Sequence, residues 1–144
     1  LRLTGWYTAG IWRIPLLWVL FAGYGWLIVA FALKAAVYFA GVSPYVALHA
    51  FAYGGIGMIT LGMMARVTLG HTGRDLATPP AALSPAFAML FAGAVIRVQM
   101  PLLDPGHHIV WIGLAQGLWV IAFALFVWIF LPMWLQPRVD GKPG

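Results

Sequence analysis

The fold is decided by the stretch "PLLWVLFAGYGWLIVAFALKAAVYFAGVSPYVALHAFAYGGIGMITLGMMARV", residues 15–67, in which two long apolar runs are separated only by a short turn. Each run is at least as long as the roughly 20 mostly apolar residues that an α-helix needs to cross a bilayer. Gly41 is predicted to end the first helix, and Ser43-Pro44 to begin the second. Because the turn has so few residues, the two helices are predicted to run antiparallel.

Two further apolar runs follow, and each begins at a similar pair. Ser84-Pro85 and Asp104-Pro105, like Ser43-Pro44, offer an N-cap side chain followed by proline in the first helical turn. The spans are predicted at about 15–40, 44–67, 85–103 and 105–131. The sequence therefore predicts an all-α polytopic membrane protein, with four transmembrane helices in an up-down antiparallel bundle that forms a single transmembrane domain over residues 1–144.

The composition supports this class. Hydrophobic residues make up 63% of the 144 residues and charged residues only 8%, whereas soluble domains carry roughly 25% charged residues. The chain has no cysteine, which excludes disulfides, thiolate metal sites, iron–sulfur clusters and covalent c-type haem attachment in this chain. Any metal would have to bind histidine, methionine, tyrosine, carboxylate or backbone groups.

The basic residues predict the orientation of the bundle. The net charge of +5 does not indicate nucleic acid as a partner, because these residues flank the apolar runs. After four crossings, one side of the membrane collects Arg2, Arg13, Arg66, Arg74, Arg138 and Lys142. The positive-inside rule makes this side cytoplasmic, so both termini and the long connection between the second and third spans are predicted to be cytoplasmic.

Polar residues gather near the outer ends of the predicted spans. Lys34 and Arg97 lie late in the first and third spans, and a charge inside a span is costly unless it has a partner or a cavity. Snorkelling to the interface is the alternative for Lys34, whereas a partner is expected for Arg97. His49, His107 and His108 lie at about the same depth. They form either part of a ligand site, or one hydrogen-bonded core histidine and an exposed interface pair.

The second span carries candidate ligands on one face. Counted at 100° per residue, that face contains His49, Tyr53, Ile56, Thr60, Met63 and Val67. A neighbouring stripe of small residues, which would let another helix approach closely, contains Ala47, Ala50, Gly54 and Gly57. The pattern predicts a central helix that packs on one side and faces a polar pocket on the other. Small residues would equally make room for a tetrapyrrole ring.

The segment "GHTGR", residues 70–74, follows the second span. Gly70 is predicted to end the helix, which places His71 and Arg74 at the cytoplasmic surface. Arginine and backbone N–H groups there suit an anion such as a haem propionate, a phosphate or a lipid headgroup, and interfacial anchoring is the alternative. His71 lies 22 residues after His49, about 33 Å along an α-helix, so the two cannot bind one metal ion.

These runs also carry a resemblance. The run "LHAFAYGGIGMITLGMMARVTLGHTGR", residues 48–74, combines a leucine-histidine start, glycines along the helix and a terminal "GHTGR". Together with "WRIPLLWVLFAGYGW", residues 12–26, it resembles the NnrS family of haem- and copper-containing bacterial membrane proteins, over roughly residues 1–135. One departure is Phe21, which stands where many members carry a histidine.

The resemblance implies metal cofactors, haem b and copper. His49 is then the first candidate for an axial haem ligand, and His71 is the next, as a ligand or a propionate contact. His107 and His108 are copper candidates, since imidazole suits copper. The candidates for pairing with a propionate or another anion are Arg66, Arg74 and Arg97.

The resemblance also implies a place and a role. Members of this family lie in the bacterial inner membrane, are linked to nitric oxide and nitrosative stress, and have more spans than this chain, which resembles their C-terminal third. It is therefore expected to be a fragment, or a short relative that assembles with other membrane chains or with the missing N-terminal spans. Its expected partners are membrane lipid and haem, and any enzyme activity would be cofactor-based redox chemistry.

Two other functions stay open from the residues alone. The first is a membrane transport or channel module, in which Lys34, Arg97 and His49 line a path for anions or protons. The second is a structural subunit of a larger membrane complex, because the four predicted helices leave little mass outside the bilayer.

Overall fold

The structure is a computed structural model, and it describes residues 2–141. A short helix, Arg2–Trp6, and a 3₁₀ turn, Ala9–Arg13, precede four long helices. These helices, called the first to fourth spans below, are Pro15–Phe39, Pro44–His71, Leu83–Leu103 and Pro105–Trp134. All four are long and apolar enough to cross a membrane, and no strand occurs among the described residues. The predicted all-α membrane architecture is confirmed.

The ends of the first two spans show how glycine acts here. The first span ends at Phe39, and Gly41 follows with a φ of 66°, as expected of a glycine that turns the chain. The predicted stop at Gly70 is wrong, because the second span continues to His71 and Gly73 takes the left-handed conformation instead, with a φ of 73°. A glycine in helical geometry does not end a helix.

The starts of the spans differ from the prediction in their capping. Neither Ser43 nor Asp104 makes a side-chain capping hydrogen bond, and the third span begins at Leu83, which places Ser84 inside the helix. Pro44 and Pro105 do lie in the first turn. The proline therefore marks these starts, since its φ suits the first turn and it has no N–H to satisfy.

The second span is the centre of the bundle. In an apolar stretch of 18 residues taken from each span, half of the residues are buried in the second span, against 28%, 33% and 22% in the first, third and fourth spans. The glycines that pack against the first span explain this position. A Cβ on Gly54 would lie 2.5 Å from Trp26 Cδ2, and one on Gly62 would lie 2.7 Å from Val19 Cγ1. The first span thus lies directly on the backbone of the second, as predicted for Gly54 of the small-residue stripe, whereas Gly57 of that stripe does not contact the first span.

The third and fourth spans complete the core through aromatic rings. Phe87, Phe126 and Phe130 are among the largest fully buried side chains. Trp18 of the first span meets Phe87 edge-on, with ring centroids 5.9 Å apart. The third span is thus packed against its neighbours, and Arg97 lies near the end of that helix.

The middle of the second span, Ala50–Gly57, is a π-helix between two α-helical parts. A π turn contains more residues than an α turn, so positions counted at 100° per residue across it no longer align. The predicted ligand-bearing face is therefore wrong beyond Tyr53. Tyr53 is buried, whereas four further members of that face are exposed: Ile56, Thr60, Met63 and Val67.

Candidate functional site

The polar residues of the spans lie at two opposite ends of the bundle. The histidine end contains His49, Arg97, Asp104, His107 and His108. The arginine end contains Arg66, His71, Arg74 and Arg138. The antiparallel topology alone produces this division, because residues that lie late in the first and third spans meet those that lie early in the second and fourth. Lys142, predicted at the arginine end, lies outside the described residues.

The histidine end is built around one long-range hydrogen bond. Arg97 Nη2 lies 2.9 Å from His49 Nε2, and both side chains are half-buried. Since a guanidinium only donates, Nε2 accepts, and a neutral His49 ring carries its proton on Nδ1. The backbone of Tyr45, one turn earlier, is a hydrogen-bond partner of the same ring. His49 is thus held as a neutral imidazole whose Nε2 lone pair is directed at a cation.

Arg97 is not neutralised by a carboxylate. No Asp or Glu of residues 2–141 lies within ion-pair distance of it, and its Nη1 is buried without a hydrogen-bond partner. An uncompensated charge within a membrane span is costly. The predicted partner of Arg97 therefore exists, but His49 accepts only one of its N–H groups, and an anion would complete the site.

Beside this pair lies a cavity of about 440 Å³. Its polar lining includes His49, Arg97 and His108, and its apolar lining includes Val46, Pro101 and Ile112. The size falls within the range of about 300–1,000 Å³ that is usual for small-molecule sites. His49, Arg97 and His108, three of the predicted site residues, thus line one cavity.

His107 bonds to Asp104 and does not line this cavity. Its Nδ1 lies 3.0 Å from both carboxylate oxygens of Asp104, and the indole N–H of Trp111 donates to Asp104 Oδ2 at 3.1 Å. The bond from His107, and then that from Trp111, holds the pKa of the Asp104 carboxyl below its ordinary value. These three partly exposed side chains connect the turn to the start of the fourth span.

Lys34 does not join the site. It is exposed and lies 5.8 Å from the ring centroid of Tyr38, one turn later on the same helix. It does not line the cavity beside His49. The exposure of Lys34 agrees with the snorkelling alternative.

The arginine end joins the "GHTGR" segment to the C-terminal segment. The Val139 N–H donates to the Thr72 carbonyl at 3.2 Å, and Arg138 Nη1 donates to the His71 carbonyl at 3.0 Å. Gly73 contacts the Asp140 carboxylate so closely that a Cβ would lie 2.7 Å from Asp140 Cγ. Part of the motif therefore has a structural role, because its backbone and its glycine anchor the C-terminal segment.

The side chains of His71 and Arg74 do not take part in these contacts. The His71 ring is exposed, and Arg74 Nη2 approaches Gln136 Oε1 at a long 3.5 Å, while its Nη1 is buried without a partner. Arg66 is exposed. One haem bound at His49 would thus have Arg97 beside it rather than Arg66 or Arg74, which lie at the other end of the helix.

Tyr53 makes a contact that no sequence pattern indicates. Its hydroxyl donates to the Ala115 carbonyl of the fourth span at 2.6 Å, and it packs on Gly93 of the third, where a Cβ would collide with the phenol. One side chain thus fastens three helices just below His49. The two bonded residues lie 62 positions apart in sequence, so their spacing does not predict the contact. Gly93 is the one sequence feature related to it, and its role is clear only from the fold.

Phe21, at the position where the resemblance implies a histidine in many relatives, lies in aromatic surroundings. The rings of Tyr7 and Trp12 lie 5.9 and 5.8 Å from it. It lines an apolar cavity of about 490 Å³ together with Trp6 and Tyr24. Because this cavity is lined by no histidine, it offers no imidazole ligand to a metal.

Comparison with known proteins supplies one match. A family model described as NnrS protein matches residues 1–138, nearly the whole chain. A search of curated proteins finds no match, and a search of solved structures finds none either.

Proposed function

The chain belongs to the NnrS protein family, and from that premise we propose that it binds a b-type haem at the histidine end and serves the response to nitric oxide in a bacterial inner membrane. The observation that carries the proposal is the bond of 2.9 Å between Arg97 and His49 beside a cavity of about 440 Å³. With the positive-inside rule, the arginine end and both termini would lie in the cytoplasm.

The residues fit one side of a haem. His49 offers Nε2 as a neutral imidazole nitrogen, which is the form that binds iron. Arg97 offers a guanidinium with an unused buried N–H, which suits a propionate carboxylate. His49 would hold the iron and Arg97 would hold a propionate, whose charge would neutralise the guanidinium.

The residues do not fit a copper site of their own. Residues 2–141 bring together no group of three His, Cys, Asp or Glu side chains able to hold a metal. His107 is hydrogen-bonded to Asp104, and His108 is the one imidazole that lines the cavity together with His49. The proposal therefore covers haem alone, with His108 as a second wall of the same cavity.

The division of labour follows from this arrangement. A bound haem would supply an iron that binds nitric oxide and exchanges electrons. The protein would contribute the imidazole of His49, the charge of Arg97 and apolar walls that exclude water. No pair of side chains at this end is arranged as nucleophile and base, so the chain's own groups bind and orient rather than react.

The test is an absorption spectrum with metal analysis on the intact chain, purified from haem-replete cells. We expect a Soret band that shifts on addition of nitric oxide, and iron in stoichiometric amount. His49→Gly should lose the band and recover it when free imidazole is added, because imidazole can occupy the space of the missing ring. A colourless wild-type preparation, or a His49→Gly spectrum equal to that of the wild type, would contradict the proposal.

A further inference from the structure

The arginine end contains a second cavity, of about 440 Å³, beside the last two turns of the second span. Arg66, Gly70 and His71 line it from that span, and Arg138 lines it from the C-terminal segment. Its apolar walls are Met63, Val67 and Leu76. We call it the basic cavity. It is separated from the histidine end by the length of the second span, so it does not belong to the proposed haem site.

The charges around the basic cavity do not cancel. Arg138 is neutralised by Asp140, with N–O distances of 2.9 and 2.7 Å, and its third donor reaches the His71 carbonyl. Asp75 accepts from the Ala77 N–H and the Thr78 hydroxyl. The remaining acid of the chain, Asp104, lies at the other end of the bundle. Arg66 therefore has no carboxylate partner among residues 2–141.

One unpaired guanidinium calls for one negative charge. Arginine presents a planar fork of N–H donors that matches phosphate oxygens in pairs. A phosphodiester carries a single negative charge, which equals the charge left on Arg66 once Arg138 and Asp140 are paired. The exposed ring of His71 adds a further donor at the same cavity.

The apolar walls decide where the phosphate comes from. Met63 and Val67, which flank Arg66 on the same helix face, are 43% and 48% exposed within a helix suited to cross a membrane. Their side chains would contact hydrocarbon rather than water. A ligand with an anionic head and acyl tails satisfies both parts of the cavity, whereas free phosphate satisfies only the polar part. We infer that the basic cavity binds the phosphodiester headgroup of an anionic phospholipid, with Arg66 as the main contact.

Two substitutions separate this site from general attraction to a charged surface. Arg66→Gln removes the charge. Gly70→Leu keeps every cation but adds a side chain where a Cβ meets nothing within 4 Å, so the helix tolerates it while the cavity is filled. Arg13→Gln is the matched control, because Arg13 is another exposed arginine near the same end that does not line the cavity.

The experiment titrates the full chain in mild detergent with short-chain phosphatidylglycerol, short-chain phosphatidylcholine or inorganic phosphate, and follows thermal unfolding and lipid-bound mass. Wild type should prefer phosphatidylglycerol over phosphatidylcholine by about tenfold, since both lipids carry the phosphodiester but the choline cation of the zwitterion is repelled by the cations of the cavity. Arg66→Gln and Gly70→Leu should lose this preference, and Arg13→Gln should keep it within about twofold.

The other outcomes distinguish a lipid site from surface attraction, from a soluble-anion site and from a propionate contact. Equal binding of the two lipids would show that the charge of the headgroup is not recognised, and equal losses in Arg66→Gln and Arg13→Gln would show surface attraction only. Either result would overturn the proposal. Saturation by inorganic phosphate would show a soluble-anion site and overturn the lipid as its source. A fall in haem content in Arg66→Gln would assign Arg66 to a propionate and overturn it as well. Haem content that stays at the wild-type value, with loss of lipid preference, supports the lipid site whether or not the haem proposal holds.

Discussion

The two ends of the bundle hold the same kinds of basic side chain under different electrostatic conditions. At the arginine end, Arg138 is bonded to the Asp140 carboxylate and to the His71 carbonyl. At the histidine end, Arg97 meets only the neutral ring of His49, and one of its buried nitrogens has no partner. Arg138 therefore completes the fold at the arginine end, whereas Arg97 leaves an unmet requirement for an anion at the histidine end.

The backbone explains much of this difference. The second span ends at His71, and residues 72–74 and the C-terminal segment lie outside regular helix, so carbonyl groups such as those of His71 and Thr72 are available as acceptors. Around Arg97 the main chain is helical, and most of its carbonyls are occupied by helical hydrogen bonds. A buried cation in such surroundings depends on side chains or on a ligand, which is why the histidine end is the better candidate for a cofactor.

The largest effect is expected from overpacking the central helix. Gly54→Leu would force a side chain into Trp26 and should destabilise the fold by about 3 kcal/mol, at the upper end of the usual cost of overpacking. Gly70→Ala at the arginine end should be neutral or slightly stabilising, because a Cβ there meets nothing within 4 Å. Thermal unfolding in detergent measures both. Equal stability of the two variants would show that the second span is not packed as described.

The next effect concerns Arg97 and sharpens the contrast between the ends. Arg97→Ala should weaken haem binding by about fivefold to tenfold, because bonds to a propionate outweigh the bond to a neutral imidazole that Arg97 gives up. The same change should speed haem association, since the Nε2 lone pair of His49 is no longer occupied. Stopped-flow haem transfer separates the two quantities.

Arg66→Gln is the control for that measurement, because Arg66 lies at the other end of the second span. It should change neither the affinity nor the rate. If Arg97→Ala binds haem more tightly than wild type, Arg97 is only a competitor for His49 and holds no propionate.

A smaller effect is expected at Tyr53. Tyr53→Phe removes the bond to the Ala115 carbonyl and should cost about 0.6–1 kcal/mol, the usual worth of a hydrogen bond between membrane helices. The packing against Gly93 is kept, so haem content should stay at the wild-type value. Thermal unfolding of Tyr53→Phe in detergent provides the measurement. The control is Tyr24→Phe, which changes a half-buried tyrosine away from this junction. A larger loss in the control would contradict the assigned role.

The smallest effect is a pH dependence at the exposed turn before the fourth span. The pKa of Asp104 is lowered by its bonds to His107 and Trp111, so this stabilisation is present above the ordinary carboxyl value and is lost as the pH falls through the lowered one. The difference in melting temperature between wild type and Asp104→Asn should therefore shrink between about pH 6 and about pH 3. A difference that stays constant would mean that these bonds do not favour the charged form.

The sequence predicts the spans and the grouping of polar residues well, because both depend on local composition and on the antiparallel order of helices. It predicts contacts less well. The π-helix of residues 50–57 rotates the second span, and no residue count at α-helical spacing can include it. The bond from Arg97 to His49 joins residues 48 apart, and "GHTGR" gives no sign that its backbone binds the C-terminal segment.

The most direct test of the account is the haem-to-protein ratio of two variants, His49→Ala and His71→Ala, purified in parallel with wild type from haem-replete cells. The two histidines lie on the same span, at opposite ends of the bundle. The account predicts that His49→Ala loses the haem and that His71→Ala retains the wild-type ratio. Full haem content in His49→Ala, or loss of haem only in His71→Ala, would contradict it.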